Sequence, residues 1–380
     1  MPGFELIDEE EKAAVIDLFD NQGGVLFAHG FDVLRNGHYQ VREFEHACAE
    51  KLGSDFALAV TSGTAALAVA LKAIGVKSGD EVITQAFTFV ASVEAILSVG
   101  AIPVIANIDE SLNIDPLEIE NKITNKTKAI MPVHMLGMPA DMKAVNEIAI
   151  KFNLQVIEDS CEAIGATLDN KYLGTIGDVG VISFDHGKAL TTGEGGMLLT
   201  NSKEIDEFAR EYHDHGHENN SALPRGRDTK KIAGFNYRMT EIQAAIGKVQ
   251  LGKLDKLLKE NAIRYDVIQD ILSKKFSSRK IIQGSVGQKD CYIFRVPATL
   301  QRKRIIELLV EKGVGTKNLP DAVEWHCSYY WDHIFNQTEI LKMKKSKDLL
   351  EEFVAIPISL NKTEEQYRDI AISILKCIKE

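Results

Sequence analysis

One segment of the chain combines a lysine with a glycine-rich turn: Ile182-Ser-Phe-Asp-His-Gly-Lys-Ala-Leu-Thr-Thr-Gly-Glu-Gly-Gly196. The pattern predicts a strand that ends at Ser183, a short loop that carries Lys188, and a tight turn over residues 193–196. A lysine amine attacks an aldehyde when partial desolvation and cationic neighbours lower its pKa. Most loop lysines are only solvated side chains, but a solvated loop would not need so tight a turn. We therefore take Lys188 as the candidate catalytic residue.

A carboxylate is expected beside this lysine. Asp159 lies at the end of the apolar segment Val156-Ile-Glu-Asp-Ser160, and ligands of open α/β sheets bind at the carboxyl ends of the strands. A carboxylate in that place pairs with the protonated ring nitrogen of a bound cofactor and keeps it charged. Taken alone, the segment is equally consistent with an aspartate that caps the next helix.

Two further segments are candidates for binding a phosphate. In Thr61-Ser-Gly-Thr-Ala-Ala-Leu67, Ser62 is a good N-cap, and the free N–H groups at a helix N-terminus bind anions. In Gly234-Phe-Asn-Tyr-Arg-Met-Thr-Glu-Ile-Gln-Ala-Ala245, Asn236 and Arg238 suit a phosphate or a subunit contact. The alternatives are an ordinary capped helix for the first segment and a surface loop for the second.

Strand-like and helical segments alternate through the first two thirds of the chain. The alternation predicts an α/β fold in which a largely parallel sheet lies between two layers of helices. Residues 1–45 are predicted to form an N-terminal arm, residues 46–250 a large domain, and residues 251–380 a smaller α+β domain. The helical stretch at 241–275 is typical of a linker between the two domains.

Composition limits the classes of partner. The chain has 380 residues and a formal net charge of -11, without a basic tail, so nucleic acid is not expected to bind. The five cysteines are scattered without a C-x-x-C pair, which predicts a reducing compartment and no metal site. We find neither a signal peptide nor an apolar stretch of membrane-spanning length, so a cytoplasmic protein without a membrane partner is expected.

Order and spacing of these segments resemble the DegT/DnrJ/EryC1/StrS family of sugar aminotransferases, which depend on pyridoxal phosphate (PLP). The signature is Ser183-Phe, three residues, Lys188, five residues, and Glu194-Gly-Gly. The likeness extends from Phe44 to about Asn361. It implies the PLP-dependent fold type I, which is aspartate aminotransferase-like. That fold has a large domain with a mostly parallel seven-stranded sheet between helices, plus a smaller C-terminal α+β domain.

The resemblance also assigns roles to residues. Lys188 would bind PLP covalently and move protons, while Asp159 would keep the pyridine nitrogen protonated. Phe89 would stack on the cofactor ring. The phosphate would be held by Ser183, by the backbone of Gly63, Thr64 and Ala65, and by Asn236 of the partner subunit. The resemblance therefore implies a homodimer with shared active sites.

Two residues depart from the family pattern. Gln85 replaces a common proline, and Glu162 stands where glutamine or histidine usually supports the ring. We include Glu162 among the cofactor-binding residues, although a contact with substrate is the alternative. Some relatives that remove a hydroxyl have histidine in place of the lysine. Because Lys188 is present, transamination is favoured over dehydration.

A segment dense in histidine and arginine follows the lysine, between Tyr212 and Thr229. Arginine suits carboxylate or phosphate oxygens, although a mobile surface loop is the alternative. This segment and 315–333 resemble the branch of the family that forms 8-amino-3,8-dideoxy-manno-octulosonate (Kdo8N) for lipopolysaccharide. The candidate substrate residues are His186, His215, His217, Arg225, Arg227 and Lys317.

The resemblance implies that L-glutamate donates an amino group to a keto- or aldehyde-sugar, with C8 of an oxidised Kdo as the favoured acceptor. The alternatives are a nucleotide-linked 4-keto-6-deoxyhexose as acceptor, or a regulator that binds PLP without turnover.

Overall fold

The computed structural model describes residues 3–218, 220, 222–223, 227–229 and 231–378. Arg225 lies outside the described residues. Within these ranges the chain forms the strands β1 (Phe56–Val60), β2 (Glu81–Gln85), β3 (Ile102–Ala106), β4 (Thr127–Met131), β5 (Gln155–Asp159), β6 (Thr167–Leu168), β7 (Lys171–Tyr172), β8 (Val179–Ser183), β9 (Gly196–Thr200), β10 (Ser285–Val286), β11 (Cys291–Arg295) and β12 (Phe353–Pro357).

The α-helices surround these strands. They are α1 (Glu9–Asp20), α2 (Gln40–Leu52), α3 (Gly63–Ala73), α4 (Ala91–Ser98), α5 (Pro116–Lys122), α6 (Met142–Phe152), α7 (Lys203–His213), α8 (Glu241–Gly252), α9 (Leu254–Leu272), α10 (Thr299–Glu311), α11 (Val323–His326), α12 (Gln337–Lys342), α13 (Lys344–Leu350) and α14 (Glu364–Cys377).

Seven strands form the central sheet in the order β1-β9-β8-β5-β4-β2-β3. Neighbours from β8 to β3 run parallel, whereas β9 is antiparallel to both β1 and β8. All five residues of β8 and of β9 are buried, as expected for apolar strands covered on both faces. The predicted fold class, with its mostly parallel seven-stranded sheet between helices, is confirmed.

Helices cover the sheet on two sides. On one side Leu67 of α3 packs with Leu58 and Val181 of the sheet. On the other side Phe44 of α2 and Ala244 of α8 pack against the sheet. Because β2, β4, β5 and β8 pair in parallel, their carboxyl ends meet at one edge of the sheet.

The C-terminal part has a core of its own. β11 and β12 form an antiparallel pair, and Phe294 and Ile356 from these strands pack against Ile268 of α9, Ile305 of α10 and Ile374 of α14. The predicted boundary at residues 45 and 46 falls within α2, and that at 250 and 251 falls near the end of α8. The division into three units stays a prediction.

The described part of the chain contains neither a membrane-spanning helix nor a metal-binding cluster. Among its helices, none is both long and apolar enough to cross a membrane. In the same part of the chain, no group of three or more histidine, cysteine or acidic side chains is arranged to hold a metal ion.

The crossing of α2 and α8 provides a test of the packing. A Cβ atom added to Gly247 would lie 2.6 Å from the ring of the buried Phe44. We expect Gly247→Ala to lower the free energy of unfolding by about 1–3 kcal/mol, because an extra methyl overpacks the contact. Urea denaturation of the apoprotein measures this.

The matched control for this prediction is Gly252→Ala near the end of the same helix. A Cβ atom there meets no atom within 4 Å, and alanine is favoured over glycine in a helix. We expect the control to be neutral or stabilising. Equal destabilisation by the two variants would contradict the packing argument.

Candidate active site

A cavity of about 320 Å³ lies at the edge where the strands end. It is lined by seven of the predicted residues: Gly63, Thr64, Phe89, Asp159, Glu162, Ser183 and Lys188. These residues come from the ends of four strands, β1, β2, β5 and β8, or from the segments that follow them, as expected for a ligand site of an open α/β sheet. The cavity is within the size range of cofactor and small-molecule sites.

Asp159 is the buried carboxylate of the cavity. It ends β5 and is 3% exposed. Its Oδ2 accepts a hydrogen bond from Ser92 Oγ of α4 at 2.7 Å, and its Oδ1 accepts one from the N–H of Cys161 at 3.2 Å. Each oxygen keeps a lone pair for a further partner. The carboxylate is therefore oriented to accept a charge-assisted bond from a cationic ring nitrogen.

The phosphate candidates meet where α3 begins. The hydroxyl of Ser62 caps this helix by accepting a hydrogen bond from the N–H of Ala65 at 3.1 Å. Gly63 and Thr64, the first two residues of the helix, line the cavity. The first N–H groups of a helix have no acceptor within it. Gly63 and Thr64 are thus better placed for an anion than Ala65, whose N–H already has a partner.

Close contact explains the glycine at position 63. A Cβ atom there would lie 2.9 Å from Cβ of Ser183 and 3.1 Å from Sγ of Cys161. Ser183, which ends β8, is 7% exposed. The backbone of α3 and this hydroxyl therefore form a narrow cradle that a larger residue would fill.

Lys188 and Glu162 form an ion pair inside the cavity. Lys188 Nζ lies 3.5 Å from Glu162 Oε1, and the two side chains are 16% and 6% exposed. Burial would lower the pKa of Lys188, but Glu162, with Cys161 and Asp159, outweighs it and raises the pKa above its ordinary value. The expectation that cationic neighbours lower this pKa is therefore wrong for the apoprotein, because the dominant neighbour is an anion.

Glu162 shows the opposite shift. Burial would raise its pKa, but Lys188, Lys317 and His326 outweigh burial and hold the pKa at about 2. Its Oε2 also accepts the N–H of Leu136 at 3.2 Å. Glu162 is therefore ionised at neutral pH and stabilises the protonated amine of Lys188.

The loop that carries Lys188 packs against the N-terminal segment. The N–H of Gly3 donates to the carbonyl oxygen of Lys188 at 3.2 Å, and Phe4 stacks on His186 with ring centroids 5.0 Å apart. His186 is exposed and does not line the cavity. Its predicted contact with substrate is not supported within the single chain, because Phe4 holds the ring elsewhere.

The other predicted substrate residues that the structure describes also lie outside this cavity. The side chain of Lys317 is 5% exposed, and its Nζ forms an ion pair with Asp290 Oδ2 at 2.5 Å. A carboxylate of the same chain therefore compensates its charge. His217 contacts Asp228 at 3.2 Å, while His215 and Arg227 are exposed. Within the described residues the predicted cluster therefore does not converge on Lys188.

A second cavity of about 450 Å³ lies near this cluster. Its lining includes Arg42, Arg210, Arg238 and Asp228. Arg210 bonds Glu45 Oε2 at 3.0 Å, and Arg238 is paired with Asp214. Two of the three arginines are therefore neutralised by carboxylates of the same chain.

Sequence reasoning missed several residues of the Lys188 cavity. Thr88 and Ser92 follow β2, and Asn318 and His326 come from the C-terminal part of the chain. Burial lowers the pKa of His326, although Glu162 opposes this. The position of Thr88 and Ser92 after a strand was a usable signal. Asn318 and His326 lie in the segment 315–333, which was singled out by resemblance, but their position at this cavity follows only from tertiary packing.

The residues present fit pyridoxal phosphate. The donor set contains a lysine amine for the aldehyde, a fixed carboxylate for the ring nitrogen, and a helix N-terminus with a hydroxyl for the phosphate. Phe89, 43% exposed at the cavity, offers an aromatic face. Asn236 does not line the cavity of its own chain. The fold and the site together define a PLP-dependent aminotransferase.

The comparison with protein families agrees. Residues 26–375 match the model of the DegT/DnrJ/EryC1/StrS aminotransferase family. The chain belongs to this aminotransferase family, and the residues that line its cavity fit pyridoxal phosphate.

Relatives of this chain include GDP-perosamine synthase of Escherichia coli O157:H7, 41% identical over 257 residues, which are 67% of either chain. Matched segments span 57% to 67% of the length of three curated GDP-perosamine synthases. The aminotransferase from Psychrobacter cryohalolentis superposes with a TM-score of 0.85 at 30% identity over 98% of this chain and 97% of that one. The 3-amino-5-hydroxybenzoic acid synthase superposes with a TM-score of 0.85 at 27% identity, covering 100% and 98%.

The ion pair predicts how PLP uptake depends on pH. Because Glu162 is the strongest of the groups that raise the pKa of Lys188, Glu162→Gln leaves Cys161 and Asp159 to oppose the lowering of this pKa by burial and Lys317. More of the amine is then neutral at pH 7. We expect the pH midpoint for the rate of PLP uptake by the apoprotein to fall by about one unit, equivalent to about tenfold faster uptake near neutral pH. Stopped-flow absorbance measures this rate.

Glu194→Gln is the control for this experiment. Glu194 lines the same cavity, and burial and the neighbouring Asp185 raise its own pKa. We expect its substitution to leave the midpoint in place. An unchanged midpoint in Glu162→Gln would show that Glu162 does not govern the protonation of Lys188.

Proposed function

We propose that this enzyme transfers the amino group of L-glutamate to a carbonyl carbon of a sugar, with C8 of 8-oxo-3,8-dideoxy-manno-octulosonate as the acceptor. The observation that carries the catalytic part is the convergence of Lys188, Asp159 and the α3 N-terminus on one cavity. The product would be Kdo8N, a sugar of lipopolysaccharide.

The chain's own residues perform defined tasks in this proposal. Pyridoxal phosphate, when bound, supplies a carbonyl that carries the amino group and a ring that delocalises negative charge. Asp159 keeps a proton on the ring nitrogen, because its charge favours the cationic form. Lys188 Nζ, once free, takes a proton from one carbon and returns it to another as a general base and acid.

Glu162 assists by holding charge near the lysine. Its carboxylate lies 3.5 Å from Lys188 Nζ and stabilises the amine whenever this carries the extra proton. The apolar side chains of Leu67, Val133 and Met135 line the same cavity, so they limit the access of water to the reacting atoms.

A homodimer with shared active sites is part of the proposal. Asn236 is bonded locally, its Oδ1 accepting the N–H of Arg238 at 3.4 Å, and stays away from the Lys188 cavity of its own chain. This is the arrangement expected if Asn236 of the partner subunit completes each phosphate site. His215 and Arg227, which are exposed, would likewise reach substrate across the interface.

The choice of acceptor sugar rests on the resemblance of two segments, between Tyr212 and Thr229 and over residues 315–333, to the Kdo8N-forming branch of the family. Arg227 is exposed and available to an anionic group of a ligand. A free sugar carboxylate suits such a residue. The second candidate is a nucleotide-linked 4-keto-6-deoxyhexose, which the 41% identity to a GDP-perosamine synthase favours.

Catalysis by Lys188 is tested with Lys188→Ala. We expect the variant to fold and bind PLP weakly, but to release 2-oxoglutarate from L-glutamate at least about a hundredfold more slowly, because the proton carrier is lost. Lys203→Ala is the control, since Lys203 is exposed on α7. Full activity of Lys188→Ala would contradict the assignment. Absence of 2-oxoglutarate release from the parent protein would favour the non-catalytic regulator.

The acceptor is tested by offering the two sugars to the glutamate-treated enzyme and detecting the aminated product by mass spectrometry. We expect kcat/KM for oxidised Kdo to exceed that for the nucleotide sugar by about tenfold or more, because Arg227 can donate a charged hydrogen bond to a free sugar carboxylate.

Arg227→Ala separates substrate binding from the glutamate half-reaction. We expect it to raise KM for the carboxylated sugar by about tenfold while 2-oxoglutarate release stays unchanged, because a charged hydrogen bond is lost. Turnover of the nucleotide sugar alone, insensitive to this substitution, would establish the second candidate.

A further inference from the structure

We propose that Gln85 is a positioning residue, which holds Asp159 and the adjoining wall of the cofactor cavity in place. The inference deepens the proposed function, since it rests on the PLP site, but it is independent of the sugar. Gln85 ends β2 at the edge of the sheet and is fully buried. It does not itself line the cavity, so any effect on the cofactor must pass through its neighbours.

The carboxamide of Gln85 joins three separate segments. Its Oε1 accepts the N–H of Ile114 at 2.9 Å and the N–H of Val133 at 3.2 Å. Its Nε2 donates to the carbonyl oxygen of Phe87 at 2.6 Å. An amide oxygen has two lone pairs, and both are used here. A hydrophobic residue in this place would leave two buried N–H groups and one carbonyl without these partners.

The first connection leads through Phe87 to the side chain of Asp159. Thr88, the next residue, lies with its Oγ1 2.7 Å from Ser92 Oγ, and Ser92 donates to Asp159 Oδ2 at 2.7 Å. Phe89 follows directly and offers its ring to the cavity. The bond from Gln85 to Phe87 therefore fixes the start of the segment that orients the carboxylate.

The second connection leads through Val133 to the main chain of Asp159. Val133 forms a bridge with Asp159. On either side of it, Pro132 accepts the N–H of Asp159 at 2.9 Å, and His134 donates to its carbonyl oxygen at 3.0 Å. Gln85 thus holds both the strand end beside Asp159 and the segment that carries its hydroxyl partner.

The third connection holds the remaining wall of the cavity. Asn113, beside Ile114, accepts the N–H of Met135 with its Oδ1 at 3.0 Å. Met135 lines the cavity together with Val133. One side chain therefore ties together the segments on both sides of the ring-nitrogen partner. Its loss would loosen the orientation of Asp159 more than the fold as a whole.

The test compares Gln85→Met with Thr84→Val in the full-length protein. Methionine keeps the size of glutamine without its hydrogen bonds. Thr84 is the preceding residue of β2, equally buried, and donates to the carbonyl oxygen of Met131 at 2.9 Å, away from the cavity. For each variant we would measure the thermal midpoint of the apoprotein and the dissociation constant of PLP by absorbance titration.

We expect both variants to lose thermal stability, but only Gln85→Met to bind PLP about tenfold more weakly, because a supporting hydrogen-bond partner of the site is lost. Unchanged PLP affinity in Gln85→Met, or equal weakening in Thr84→Val, would overturn the proposal. Failure of the parent protein to bind PLP would overturn the cofactor site itself, and the proposal with it.

In the variant Gln85→Glu, protonation of the new side chain should restore the lost hydrogen bonds. A protonated glutamic acid has one oxygen acceptor and one O–H donor, and so reproduces the bonds of the amide, whereas the carboxylate cannot donate to Phe87. We expect the ratio of its PLP dissociation constant to that of the parent protein to fall towards one as pH is lowered from about 8 to about 6. A ratio that stays well above one even at about pH 6 would contradict positioning through these hydrogen bonds, because burial favours the protonated acid.

Discussion

Two opposite charges buried in one small cavity, Lys188 and Glu162, are the constraint on which the rest of the site depends. Neither is stable there alone, because removing a charge from water is costly unless a counter-charge compensates. Their separation of 3.5 Å supplies this compensation. The surrounding helices and strands leave the two side chains only 16% and 6% exposed, while Lys317 and His326 of the C-terminal part of the chain lower the pKa of Glu162.

The same constraint explains why the site combines rigid and adjustable parts. Asp159 receives bonds from the main chain and from Ser92, so its carboxylate has one orientation. Lys188 is held by charge, over a longer distance, and its flexible side chain remains free to rotate. A fixed acceptor for the ring nitrogen and a movable amine are what a proton shuttle between two carbons requires.

The fold and the grouping of Lys188 with Asp159 could be anticipated from the sequence because both follow from local patterns. Apolar strands alternating with helices predict the sheet, and residues directly after a strand must lie at its edge, where Lys188, Asp159 and Gly63 line one cavity. Long-range partners carried no such signal. His186 stacks on Phe4 and Lys317 binds Asp290, and neither partner follows from spacing.

Gln85 was visible in the sequence only as a departure from a pattern, since its three partners come together through folding. The sign of the Lys188 shift was also beyond the sequence, because it depends on whether a carboxylate or a cation is the nearest neighbour.

The antiparallel strand β9 has a consequence for the synthesis of the protein. β1 is paired in the sheet through β9 alone among the described strands, with Val60 opposite Gly196. The helix α3, which would hold the phosphate, follows β1. The strand β9, which pairs with β1, is translated well over a hundred residues later. Contacts of such separation form late. During synthesis on the ribosome, β1 and the N-terminus of α3 therefore cannot form the complete cofactor site until the Lys188 loop and β9 have been translated.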